Sequence, residues 1–122
     1  MVHIRRHEGN GVATIEPAGE IDLRSVEAIK NSIGALVKEG YSRLILDCKD
    51  GCRVPYLTSG ILRERVRRLQ AMGGSICLVR VSPTLSHALG AARPPLALPI
   101  FPDEDSAMRS FGPARPPGPK GL

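Results

Sequence analysis

Apolar residues recur at helical spacing from Val26 through Ile29, Ile33 and Leu36 to Val37, and Gly40 is placed to end the run. This is the clearest amphipathic helix in the chain, and the Ser25 hydroxyl is positioned to cap its first turn. Ahead of it, Val2 to His7 and Gly11 to Ile21 read as two strands joined by the hairpin chemistry of Gly9, Asn10 and Gly11. Behind it, Leu44, Ile45 and Leu46 form a continuous apolar run bounded by charge, the pattern of a strand buried on both faces of a parallel sheet.

A polar loop from Lys49 to Arg53 leads through Pro55 to a second helix, with Ile61, Leu62, Val66, Leu69 and Met72 as its buried stripe and Gly73-Gly74 as its stop. Ser75 to Val81 reads as a strand, and Ser82-Pro83 opens a short helix that Pro94 and Pro95 close. Leu98 to Phe101 is expected as a brief edge strand. Asp103 then caps a final helix whose Ala107, Met108 and Phe111 face inward before Gly112. Two strands followed by alternating strands and helices predict an α/β fold: a mixed sheet of four to five strands with about four helices packed mainly on one face. One domain is expected over residues 1–112. Residues 113–122, with four prolines and no apolar period, read as a basic, disordered tail.

Composition narrows the function classes. Hydrophobic residues make up 42% of the 122, enough for one core, but aromatics only 3%, so that core is aliphatic. The scarcity of aromatics argues against base stacking as a main binding mode, and no nucleic-acid partner is expected. The formal charge of +5 favours acidic partners. Apolar stretches fall well short of the roughly 18 to 20 residues that span a bilayer, so membrane insertion is not expected and a cytoplasmic location is. Three cysteines, Cys48, Cys52 and Cys77, read as reduced thiols. Cys48 and Cys52 lack two further ligands, and His3, His7 and His87 show no ligand spacing, so neither a metal nor another cofactor is expected.

The densest group of unusual residues is Leu57, Thr58, Ser59 and Gly60, delivered by a proline-containing loop to the first turn of the second helix. Free N–H groups and the positive dipole end at a helix start would stabilise a phosphate on Thr58, and either hydroxyl would equally serve as a plain N-cap. Farther along, Arg63, Arg65, Arg67 and Arg68 against Glu64 give a local balance of four minus one, or +3, a face suited to an acidic surface or simply to solvent. Asp22 and Asp47 each follow an apolar run at a predicted sheet edge. No nucleophile-base-acid set can be assembled, and an enzyme is not indicated.

The run from Gly19 to Phe111 resembles a STAS domain, the fold of bacterial anti-sigma factor antagonists. The resemblance rests on Gly19-Glu20-Ile21-Asp22, on Leu44-Ile45-Leu46-Asp47, on Thr58-Ser59-Gly60-Ile61, on Gly73-Gly74 and on the SICLVRVSP passage. It implies that Thr58, or Ser59 beside it, accepts phosphate from an anti-sigma factor that is an ATP-dependent serine/threonine kinase. The unphosphorylated protein would bind that factor and free a sigma factor, and a serine/threonine phosphatase would reset the switch. The implied contact surface is Asp22, Leu57, Thr58, Ser59, Gly60, Arg63 and Arg67, on a monomer or weak homodimer. Leu57 stands where the family motif commonly has aspartate, and the loop before Thr58 is longer than usual. Two other readings compete: a STAS scaffold or adaptor without phosphoregulation, as in a stressosome or a lipid transporter, and a nucleotide-binding protein using the Thr58 helix start as a phosphate cradle.

Overall fold

The computed structural model describes residues 2–7, 11–17, 23–49, 60–83, 86–87 and 98–111. Strands β1 (Val2–His7) and β2 (Val12–Pro17) pair antiparallel, with Arg5 opposite Thr14 and His3 opposite Glu16. The expected remainder of β2 to Ile21 lies outside the described residues. Then follow α1 (Leu23–Lys38), β3 (Arg43–Asp47), α2 (Gly60–Ala71), β4 (Ser75–Val79), β5 (Ile100–Phe101) and α3 (Glu104–Ser110). The sheet order is β1-β2-β3-β4-β5, and every pairing after the hairpin is parallel. Parallel neighbours need a crossover, which α1 supplies between β2 and β3 and α2 between β3 and β4.

Side chains of a strand alternate between faces, and this divides the core in two. On one face Ala13, Ile15, Leu44, Leu46, Ile76 and Leu78 pack against Val26, Ile29, Ile33 and Leu36 of α1 and Val66 and Leu69 of α2. On the other, Val12, Ile45, Cys77 and Val79 meet Ala107 of α3, flanked by Phe101, Met108 and Phe111. The Arg43 guanidinium lies 5.6 Å from the centre of the Phe111 ring, a cation–π contact that closes this smaller layer. Asp103 caps α3 as expected, its Oδ1 accepting from the Ser106 N–H at 2.7 Å.

The mixed α/β sheet is thus present with five strands. Three helices have full bounds among the described residues, two on one face and one on the other. A helical turn at Pro83, Ser86 and His87 joins them, the Ser86 N–H donating to the Ser82 carbonyl at 2.9 Å. Three local expectations are corrected. Helix α1 begins at Leu23, so Ser25 lies in its first turn and is not its cap, a position where backbone N–H groups still lack intrahelical acceptors. Strand β4 stops at Val79: the Arg80 N–H still donates to the Phe101 carbonyl at 3.3 Å, but Arg80 adopts a φ of 53° and turns the chain out of the sheet. Met72 is 49% exposed, since α2 has ended and Gly73, at φ 82°, turns the chain away.

Candidate functional site at the carboxyl edge of the sheet

Parallel strands β3 and β4 deliver their carboxyl ends side by side, the position where α/β proteins hold their sites. Of the residues singled out in the sequence, Asp22, Leu57, Thr58 and Ser59 lie outside the described residues. Gly60 is the first residue of α2. Arg63 is half-buried and Arg67, one turn on, is exposed. Arg65 and Arg68 line a groove against α1. The expected single basic face is therefore divided, because Val66 and Leu69 turn the middle of the helix into the core.

Asp47, at the end of β3, is almost fully buried and is gripped from just beyond β4: Arg80 Nε donates to its Oδ1 at 2.9 Å and a second guanidinium nitrogen donates to Oδ2. The Lys49 N–H also donates to Oδ1, at 3.0 Å, so the carboxylate folds the chain back on itself. Lys49 and Arg80 both occupy the left-handed region, at φ 49° and 53°. Two non-glycine residues in that region, one after each strand, mark a local backbone cost that the shared carboxylate offsets.

From this pair a chain of charges crosses the face under α3. Lys49 Nζ lies 2.8 Å from Glu16, and Arg5 bridges Glu16 and Glu104. Thr14, fully buried, donates its hydroxyl hydrogen to Glu104 at 2.9 Å. Its oxygen then accepts from His7 Nε2 at 2.8 Å, which assigns the proton to that nitrogen. Hydrogen bonding from Lys49, aided by Arg5, holds the Glu16 carboxyl below its ordinary value against the opposing effect of burial. Arg5, Asp47, Arg80, Asp103, Glu104 and Asp105 surround a shallow depression of about 310 Å³. With most of these groups already engaged to one another, the arrangement reads as a polar clamp between the hairpin, the carboxyl edge and α3.

No group of three or more His, Cys, Asp or Glu among the described residues is arranged to hold a metal. Cys48 packs into the larger core, and burial pushes the Cys77 thiol up to about 12. No described helix is long and apolar enough to cross a membrane.

Linkage gives the clamp a testable signature. A carboxyl whose folded pKa is depressed stabilises the fold above its unfolded value, near 4.5, and loses that contribution as pH falls through the folded value. The melting temperature of the wild type should exceed that of Glu16→Gln at pH 7, and thermal scans should show the gap closing as pH falls below about 4.5.

The five-stranded mixed sheet, with paired crossover helices on one face and a capped helix on the other, defines the class of fold. The family model for the STAS domain matches residues 3–107, and the chain belongs to that family. Among solved structures it is similar to the anti-sigma factor antagonist SpoIIAA in its unphosphorylated form, with a TM-score of 0.69 and 19% identity over 92% of this chain and 99% of that one. It is also similar to the Bacillus cell fate determinant SpoIIAA in the phosphorylated form, with a TM-score of 0.64 and 20% identity over 90% of this chain and 99% of that one. An anti-sigma factor antagonist from Mycobacterium paratuberculosis follows, with a TM-score of 0.66 and 18% identity over 91% and 92% of the two chains. At these identities the likeness is one of fold. No curated protein matches the sequence significantly.

Proposed function

We propose that this protein is an anti-sigma factor antagonist. It binds an anti-sigma factor of the ATP-dependent serine/threonine kinase type and so frees a sigma factor. Phosphate on Thr58, with Ser59 as the alternative acceptor, dissolves the complex, and a serine/threonine phosphatase restores it. The observation that carries this reading is a fold shared across nine-tenths of the chain with an antagonist solved in both phosphorylation states. Gly60 opening α2 supports it, since Thr58 and Ser59 are the two residues before it in sequence.

The physical logic is local. A phosphate adds about −1.5 to −2 charges, which helix N–H groups accommodate and which an apposed acidic or apolar surface rejects. In this reading Asp22, Leu57, Gly60, Arg63 and Arg67 complete the contact surface, the STAS unit covers residues 1–112, and the domain works in the cytoplasm as a monomer or weak homodimer.

Intact-mass measurement after incubation with ATP and a kinase-type anti-sigma factor from the same genome tests it. One added phosphate is expected on the wild type and on Ser59→Ala, and none on Thr58→Ala. Stable binding to that factor with no phosphate on any form would instead favour a constitutive STAS scaffold or adaptor, the reading that Leu57 in place of aspartate supports. The absence of both binding and phosphate would overturn the proposal.

A further inference from the structure

Helices α1 and α2 lie side by side on the sheet, and the outer surface between them is a groove of about 480 Å³. Its floor is apolar, made by Ile33, Val37 and Leu69, with Met72 half-exposed at the lip. Gly34 keeps it open: a Cβ there would already stand 3.6 Å from the Arg65 guanidinium, which lies over this part of α1. The rim is cationic. Lys30, Lys38, Arg65 and Arg68 line the groove, and among the described residues no acidic one does. Glu27 stands 3.6 Å from Lys30 and Glu64 stands 2.8 Å from Arg68, so the local balance is four minus two, or +2. The Arg68–Glu64 pair is solvent-exposed on both sides, 62% and 64%, and such pairs exchange partners at little cost.

The geometry points to a docking site for an acidic amphipathic helix of another protein. An apolar floor between two basic rims selects a ligand with apolar residues on one stripe and carboxylates on both flanks. From Lys30 to Lys38 the groove runs about 12 Å, two helical turns, enough for anchors at i, i+4 and i+7. The chain's own residues 113–122 do not fit, since they carry Arg115 and Lys120 and no acid. Leu69 and Met72 mark the carboxyl end of α2, away from Gly60. This surface is therefore distinct from the one proposed above and does not depend on it.

The test uses a display library of 16-residue helices with Leu, Ile, Met or Phe at positions 1, 5 and 8 and mainly Glu elsewhere, beside a Lys-rich library of the same apolar pattern. The full chain should enrich binders from the acidic library alone. Recovered peptides should shift amide resonances along α1 and the end of α2, and should bind at least tenfold more weakly to Lys38→Glu/Arg68→Glu and to Gly34→Leu. Gly34→Leu fills the floor at a helix-interior glycine, and both variants are checked for a native melting transition. No enrichment, equal enrichment from the basic library, or binding indifferent to both variants would overturn the site. So would binding of vesicles of 30% phosphatidylglycerol in phosphatidylcholine that depends on the same residues while the peptides fail to bind.

Discussion

Gly74→Ala is expected to lower folding stability by about 2 to 3 kcal/mol, a fall in melting temperature on the order of 10 °C. A Cβ at this position would stand 2.5 Å from Leu69 Cδ1 and 2.8 Å from the Ser42 carbonyl oxygen. Neither neighbour can yield cheaply. Leu69 is buried in the larger core, and the Ser42 oxygen accepts the Ser75 N–H at 2.8 Å, which starts the pairing of β4 with β3. Gly73→Ala is the control. Nothing lies within 4 Å of its Cβ position, so its cost comes only from φ +82° and should be near 1 kcal/mol. Urea denaturation followed by circular dichroism separates the two, and equal losses would refute the steric account.

Arg80→Ala is expected to cost roughly 2 to 3 kcal/mol, and Asp47→Ala less, roughly 1 to 2. The asymmetry follows from burial. The Asp47 side chain is 2% exposed, so losing Arg80 leaves a buried carboxylate with the Lys49 N–H as its remaining described donor. The Arg80 side chain is 43% exposed, and water can solvate its guanidinium once the carboxylate is gone. A double-mutant cycle should then give a double variant no worse than Arg80→Ala and close to Asp47→Ala, because removing the carboxylate also removes the buried charge that Arg80→Ala strands. A larger loss in Asp47→Ala than in Arg80→Ala would show that the carboxylate serves mainly to shape the Lys49 turn.

The larger core was legible because its residues obey a period. Val26, Ile29, Ile33 and Leu36 repeat at helical spacing, and Leu44 to Leu46 form an unbroken run, so each declares its burial without its partners. Met72 shows the limit of that signal. It continues the stripe of Val66 and Leu69 in number but stands beyond the last helical residue, where the backbone at Gly73 decides its direction. Ser25 misled for a related reason, since several residues near a helix start can cap and only the backbone selects one. The clamp was not legible. Arg5 meets Glu104 across 99 positions and Asp47 meets Arg80 across 33, pairings that no local pattern encodes. In the sequence Asp47 stands out only for following an apolar run, and Arg80 reads as a strand residue within Ser75 to Val81.

The two outer strands of the sheet have a consequence for the protein in concentrated solution. A free strand edge is a template on which another chain can build, the first step toward ordered aggregates. Strand β5 offers only Ile100 and Phe101, too few residues to hold a foreign strand in register. Strand β1 is longer, but Arg5 and Arg6 reach from it to Glu16, Glu104 and Glu39, so an incoming strand meets a row of fixed charge. Both ends of the sheet thus resist growth, and the fold is guarded against polymerising with itself.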